Sequence, residues 1–189
     1  MRKHRTLLTV TILVLTATLL LQPVAPVNAQ PQPSDYIVTE WVASVLSMVT
    51  PGGVRTPIFA FAPATVPIGV AIDSAGNYIV AERNTDVLSS VTPGGVRTPI
   101  FAFAPGTWPY GVAIDSAGNY IVAEQGTDVL SMVTPGGVRT PIFAFALGTL
   151  PAGVAIDSAG NYIVAEEGTD VLSMVTPGGV RTPIFAFAP

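Results

Sequence analysis

The chain has 189 residues, of which 49% are hydrophobic and 11% are charged, and its formal net charge is −4. It has no cysteine, which excludes a disulfide framework and any thiolate metal site. The acidic balance excludes an electrostatic nucleic-acid binder, and the high apolar content excludes a disordered chain. We therefore expect a folded protein that does not bind nucleic acid.

The first segment, residues 1–29, has the features of a secretory signal peptide. Residues 2–5 form a basic start, residues 6–21 are apolar, and residues 27–29 supply small side chains for cleavage. The apolar run has 16 residues, fewer than the about 20 that a membrane span needs. We predict a signal helix that is cleaved, a secreted product, and no stable membrane insertion afterwards. An uncleaved membrane anchor is the alternative.

Removal of the leader leaves five arginines against twelve acidic residues, a net charge of −7. The only histidine of the chain, His4, is removed with it. Residues 30–35 follow as a proline-rich linker, which we expect to be extended.

Beyond the linker, residues 36–189 repeat with a period of 42 residues. The segment Gly-Val-Ala-Ile-Asp-Ser-Ala-Gly-Asn-Tyr-Ile-Val-Ala-Glu begins at Gly69, Gly111 and Gly153. A second segment, Val-Thr-Pro-Gly-Gly-Val-Arg-Thr-Pro-Ile-Phe-Ala-Phe-Ala, occurs four times. It begins at Val49, Val91, Val133 and Val175. A fixed period of this length indicates a repeat architecture.

Each complete repeat contains four short strands separated by turn residues. In the first complete unit we predict strands at 69–73, 78–81, 87–92 and 97–104. Pro99 lacks an N–H group, so the fourth strand should lie at a sheet edge. Four antiparallel strands per repeat predict an all-β protein whose repeats are blades of a β-propeller. A β-solenoid is the competing architecture, but its coils are usually shorter.

The repeats give about four blades. Residues 36–63 form a partial unit without the first strand, and the complete units are 69–105, 111–147 and 153–189. Fifteen strands are therefore expected. They could form a small closed ring or an open arc, and an arc could associate with a second copy through its blade faces. A truncated repeat protein with no independent function is a further alternative.

The segment 67–82 resembles the NHL repeat, whose pattern is proline, any residue, glycine-valine-alanine, any residue, aspartate, two residues and glycine-asparagine. The resemblance implies a β-propeller, and it extends to gluconolactonase-like and virginiamycin B lyase-like propellers. It implies no single function, because propellers include both binding proteins and enzymes. The lyase family depends on a histidine base, and His4 lies in the leader, so we predict no catalytic residue.

The gluconolactonase-like propellers imply a second class of function, a metal-assisted hydrolase or lyase with a calcium-type ion held by oxygen ligands. The corresponding oxygen donors here are Asp73, Asp115, Asp157, Asn77, Asn119 and Asn161. Their Asp-Ser-Ala-Gly-Asn spacing is typical of a turn in which aspartate accepts hydrogen bonds from backbone amides. We therefore predict no metal site and no cofactor, with calcium as the alternative.

The units differ from one another mainly in two loops. These are the link between successive units, as at 107–110, and the turn between the second and third strands, as at 83–86. In an up-and-down blade both loops lie on the same rim, so we predict an interaction module that binds a protein or glycan there. Neutral variation at exposed loop tips is the alternative. The predicted binding residues are Trp41, Glu82, Arg83, Trp108, Tyr110, Glu124 and Glu166.

Overall fold

The computed structural model describes residues 35–188, which form fifteen β-strands in four antiparallel sheets. The predicted signal peptide at 1–29 and all but the last residue of the linker at 30–35 lie outside the described residues. Within the described range, no helix has the length and apolar character that crossing a membrane requires. The prediction of an all-β repeat protein is confirmed.

We name the sheets blades 1 to 4 in chain order. Blade 1 has three strands, β1 (Tyr36–Glu40), β2 (Val45–Val49) and β3 (Arg55–Ala60). Blade 2 has β4 (Pro67–Ile72), β5 (Tyr78–Glu82), β6 (Val87–Val91) and β7 (Arg97–Ala102), with a short 3-10 helix at Arg83–Thr85. Blade 3 has β8 (Pro109–Ile114), β9 (Tyr120–Glu124), β10 (Val129–Val133) and β11 (Arg139–Ala144). Blade 4 has β12 (Pro151–Ile156), β13 (Tyr162–Glu166), β14 (Val171–Val175) and β15 (Arg181–Ala186).

Every blade is an up-and-down sheet in which strands adjacent in sequence pair with each other. The fourth strand lies at the sheet edge, as the proline in it predicts. In blade 2, Pro99 is opposite Ser89, directly after a register irregularity between Leu88 and Ser89. The edge position spares the sheet a missing ladder hydrogen bond.

The turn between the first and second strands is fixed by its aspartate. Asp73 Oδ1 accepts hydrogen bonds from the backbone N–H groups of Ala75 and Asn77, at 2.9 and 2.8 Å. Gly76 takes a φ of +82°, which glycine adopts without steric cost. Asp115 and Asp157 make the same contacts in blades 3 and 4. The predicted turn geometry is the one observed.

The hydrophobic core lies between blades. We call the blade surface that packs on the following blade its trailing face, and the surface that packs on the preceding blade its leading face. Ile79, Leu88 and Phe103 on the trailing face of blade 2 pack against Tyr120 and Val122 on the leading face of blade 3. Corresponding residues form the cores between blades 1 and 2 and between blades 3 and 4. Each blade is thus stabilised by its neighbours.

The two ends of the described chain are not packed against each other. Among residues 35–188, no close packing joins the strands of blade 1 to those of blade 4. Phe187 on the trailing face of blade 4 is 55% exposed, and Tyr36 on the leading face of blade 1 is 60% exposed. Of the two arrangements that the repeat allowed, the described residues therefore adopt the open arc and not the small closed ring.

Candidate functional site

The rim predicted as a contact surface contains a cavity of about 510 Å³. Turns between second and third strands and links between blades form its walls, so residues far apart in sequence meet there. Its size is within the usual range for a ligand site. The lining residues are Thr39, Trp41, Val66, Pro67, Ile68, Arg83, Asn84, Tyr110, Gln125 and Glu167.

Four of the lining residues occupy equivalent positions, one from each blade. Trp41, Arg83, Gln125 and Glu167 lie 42 residues apart and directly follow the equivalent strands β1, β5, β9 and β13. The repeat therefore presents an indole, a guanidinium, an amide and a carboxylate to one shared space. Four copies of one position thus give four different chemical groups in a single cavity.

The links on this rim are held by aspartates in the preceding turn. The Asp86 carboxylate accepts hydrogen bonds from the backbone N–H groups of Gly106 and Trp108, at 2.9 and 2.7 Å. Asp128 holds Gly148 and Leu150 in the same way. Because the backbone is fixed by these contacts, the side chain at the link can change without a change in loop shape.

The link residue adopts a backbone conformation that is unusual for a large side chain. Val66, Trp108 and Leu150 have φ values of +56°, +50° and +51°. Left-handed backbone is costly for non-glycine residues, and for β-branched ones in particular. A proline follows all three residues, and the aspartate contacts also hold the loop at Trp108 and Leu150. These strained positions carry a different side chain in each blade.

Arg83 and Trp108 form a stacked pair beside the cavity. The Arg83 guanidinium carbon lies 4.7 Å from the centroid of the Trp108 ring, within the range of a cation–π contact. Arg83 also donates a hydrogen bond to Asn84 Oδ1 at 3.3 Å. Within residues 35–188, the other four arginines form ion pairs with glutamates, and Arg83 forms none. Its charge is therefore available to a ligand.

A second contact among the lining residues is a hydrogen bond that connects blades 3 and 4. Gln125 Nε2 donates to Glu167 Oε2 at 2.7 Å. Gln125 is 7% exposed, whereas Glu167 is open to solvent. The contact orients the carboxylate and leaves its second oxygen free to accept from a ligand.

The three second-strand glutamates do not lie on the accessible rim surface, so that part of the prediction is wrong. Glu82, Glu124 and Glu166 are 2%, 1% and 2% exposed. Each accepts two hydrogen bonds from the arginine fifteen residues later. In blade 3, the distances from Arg139 Nε and Nη2 to the Glu124 oxygens are 2.6 and 2.7 Å. A strand-end carboxylate is buried here because a bidentate arginine compensates its charge.

The ion pair is supported by hydroxyl donors within each blade. Ser131 and Thr127 both donate to the Glu124 carboxylate. In blade 4, burial acts to raise the pKa of Glu166. The hydrogen bonds from Arg181, Ser173 and Thr169 outweigh it, and the pKa lies below its ordinary value. These glutamates stabilise their blades through the ion pairs.

The remaining predicted residues do come together. Trp41, Arg83 and Tyr110 line the cavity, and Trp108 borders it through its contact with Arg83. The prediction missed Gln125 and Glu167, although the sequence contains a signal for them. Blades 3 and 4 differ at only two positions in 111–147 and 153–189, and Gln125/Glu167 is one of them.

The oxygen donors considered for calcium are engaged in the turns. Asp157 Oδ2 accepts a hydrogen bond from Asn161 Nδ2 at 3.0 Å, and Oδ1 accepts from two backbone amides. The side-chain hydrogen bond from Asn161, together with the backbone donors, lowers the pKa of Asp157. In the part of the chain that the structure describes, no three histidine, cysteine, aspartate or glutamate side chains are grouped as metal ligands would be.

Solved structures share this architecture. Virginiamycin B lyase from Staphylococcus aureus matches with a TM-score of 0.70 at 18% identity, over 79% of this chain and 51% of that chain. A putative gluconolactonase matches with a TM-score of 0.65 at 17% identity, over 85% and 61%. Regucalcin from Agrobacterium tumefaciens, a calcium-binding protein, matches with a TM-score of 0.66 at 14% identity, over 82% and 57%.

These similarities identify the fold as that of propeller proteins, some of which are enzymes. At such low identity they carry no further conclusion about activity. The chain spans about half the length of these solved propellers. No protein-family model matches the chain, and no curated protein matches it.

Proposed function

We propose that this chain is an exported propeller module of the NHL-repeat type that binds a ligand in the rim cavity. The observation that carries the proposal is the equivalent set Trp41, Arg83, Gln125 and Glu167. These residues differ in kind, whereas the strands around them are almost the same in every blade. All four nevertheless line one cavity.

Neutral variation explains this pattern less well. The Ser-Ala-Gly-Asn turns at 74–77, 116–119 and 158–161 are on the opposite rim, and two residues of each are exposed. They do not vary at all. Drift at exposed tips would alter both rims, because loops on either side tolerate change. Among the loops, the variation is confined to the rim with the cavity, which favours selection for a bound partner.

The chemistry of the cavity favours a glycan over a protein surface. Trp41 is 61% exposed and offers a flat apolar face, and Tyr110 adds a second ring. Asn84, Gln125 and Glu167 supply amide and carboxylate groups around them. Rings with polar groups at their borders suit a ligand that has both an apolar face and hydroxyl groups. The positive Arg83 is balanced by the negative Glu167, which matches a neutral ligand.

The two tryptophans of the chain provide the test, because both lie on this rim. Intrinsic fluorescence is titrated with oligosaccharides of glucose, galactose and N-acetylglucosamine, and the same chain is screened on a glycan array. We expect a saturable response that Trp41→Ala abolishes. The matched control is Val138→Ala, at a 60% exposed position in the opposite-rim turn of blade 3. Absence of any saturable response, or binding that survives Trp41→Ala, would contradict the proposal.

A divalent-ion-assisted hydrolase or lyase has less support, because the candidate aspartates use their oxygens in turn hydrogen bonds. Its test is separate from the glycan titration. An ion that binds the folded state raises the unfolding temperature by mass action. A rise on addition of calcium chloride, absent with magnesium chloride, would favour the enzyme class over the binding module.

A further inference from the structure

The end blades carry two apolar faces that are uncovered in the described chain. On the trailing face of blade 4, Ile184, Phe185 and Phe187 are 52%, 57% and 55% exposed. On the leading face of blade 1, Tyr36 and Val38 are 60% and 40% exposed. Contiguous exposed apolar side chains of this kind mark an interaction surface.

The same positions are buried wherever a neighbouring blade is present. Phe103 and Phe145, the equivalents of Phe187, are 7% and 9% exposed. Tyr78 and Tyr120, the equivalents of Tyr36, are 0% and 5% exposed. The two end faces are therefore the two halves of an interface that the chain already forms three times internally.

The trailing face keeps its packed arrangement without a neighbour. The rings of Phe185 and Phe187 are 5.0 Å apart at 73° in blade 4. Between blades 3 and 4, Phe143 and Phe145 are 4.9 Å apart at 80°. The Phe187 N–H donates to the Asp170 carbonyl at 2.8 Å, as Phe145 does to Asp128. A preformed surface loses little conformational freedom on docking.

We propose that the trailing face of blade 4 docks on the leading face of blade 1 of a second copy of this chain. The argument is continuity with the internal interface. Phe145 packs against Tyr162 and Val164 within the chain, and Phe187 would meet Tyr36 and Val38, residues of the same types in the same register. Blade 1 has three strands and lacks an equivalent of β4, β8 and β12, the first strands of the other blades. On the side of blade 1, the contact is therefore made by β1, β2 and β3 alone.

This contact is heterologous, since one face meets a different face of the partner. Repetition of such a contact gives a ring when the rotation from one copy to the next returns to the first copy, and an open chain of copies when it does not. The closed ring or open chain would be built from arcs that each match about half the length of solved propellers. The proposal is independent of the rim ligand, because it uses blade faces and none of the cavity residues.

The test measures molar mass by light scattering after expression of the full chain. Because assembly follows protomer concentration by mass action, the mass is recorded from about 1 to about 100 µM. We expect a dimer or larger species whose mass rises with concentration. Phe187→Asp blocks the trailing face, and Tyr36→Asp blocks the leading face, so each variant alone should be a monomer. Leu147→Asp, at a 99% exposed link position, is the matched control and should assemble like the unmodified chain.

Mixing the two blocked variants distinguishes the proposed contact from other modes of association. Phe187→Asp retains a leading face and Tyr36→Asp retains a trailing face, so an equimolar mixture should form a heterodimer. A monomeric unmodified chain at about 100 µM would overturn the proposal, since a contact with a Kd of about 1 µM would be largely assembled there. A mixture that stays monomeric would also overturn it, as would undiminished assembly of Tyr36→Asp. Circular dichroism of each variant confirms that the blades remain folded.

Discussion

Phe103 and Phe187 occupy the same position of the same strand sequence, Arg-Thr-Pro-Ile-Phe-Ala-Phe, yet they lie in opposite environments. Phe103 is 7% exposed between blades 2 and 3, whereas Phe187 is 55% exposed at the end of the arc. The local sequence is identical, so the difference comes entirely from the following blade. In a repeat protein the neighbour determines burial, and each interface is a separate contribution to stability.

The largest expected effect is a loss of stability at the internal phenylalanine. Phe103→Ala removes a buried ring and should lower the free energy of unfolding by about 3 to 5 kcal/mol. Phe187→Ala should cost less than about 1 kcal/mol in the monomer, because its ring is already in solvent. Urea unfolding at low protein concentration measures both. Equal losses would show that blade 4 is covered in solution.

The buried ion pair of blade 3 and the exposed ion pair of blade 1 provide a second comparison of stability. Glu124→Gln removes charge-assisted hydrogen bonds from a site that is 1% exposed, and should cost about 2 to 3 kcal/mol. Glu40→Gln in blade 1 is the control, because its side chain and that of Arg55 are 29% and 46% exposed. We expect the smaller loss there, since water replaces the partner. Thermal unfolding compares the two, and a greater loss for Glu40→Gln would contradict the assignment.

Glycines at the blade centre provide a third contrast. A Cβ added to Gly111 would lie 2.3 Å from the carbonyl oxygen of Ala152 in the next blade. Its equivalent in blade 4, Gly153, has the Ala165 Cβ at 3.5 Å as the nearest atom. Gly111→Ala should destabilise by about 1 to 3 kcal/mol through overpacking, whereas Gly153→Ala should be tolerated. A similar loss for both, by urea unfolding, would indicate that blade 4 has a following blade.

The smallest effect is the pH dependence from Glu166. Its folded-state pKa lies below the ordinary value of 4.5, so the unfolded state binds more protons as the pH falls. The stabilisation that the ionised Glu166 carboxylate gives the folded state is fully present above about pH 4.5. It is lost as the pH falls through the folded-state pKa. Unfolding midpoints between pH 6 and pH 3 should fall, and Glu166→Gln should flatten the curve. An unchanged slope in that variant would contradict the role of the pair.

Much of the fold was predictable because each repeat contains its own turn chemistry. Pro99 indicates an edge strand, and the Asp73 to Asn77 spacing indicates the turn that the structure shows. The count of fifteen strands follows from the same signals and agrees with the described residues. Whether the arc closes was not predictable from the sequence. Closure depends on the angle between successive blades, and no residue pattern in the repeat indicates that angle.

The candidate site was predictable only in part. Comparison of the loops placed Trp41, Arg83 and Tyr110 together, because a blade has only two rims. It placed Glu82, Glu124 and Glu166 on the exposed rim, whereas they are buried. A carboxylate at a strand end is expected to be solvated unless the arginine that pairs with it is known. The partner arginine recurs fifteen residues later in every unit, and that regular spacing was the available signal.

Thiol labelling tests the central claim most directly, because the chain has no cysteine of its own. Ala123 is fully buried between blades 3 and 4, and its equivalent Ala165 is exposed on the trailing face of blade 4. The open arc predicts that Ala165→Cys reacts rapidly with a thiol reagent in dilute protein, whereas Ala123→Cys reacts only on unfolding. Protection of both cysteines to the same degree at that dilution would contradict it.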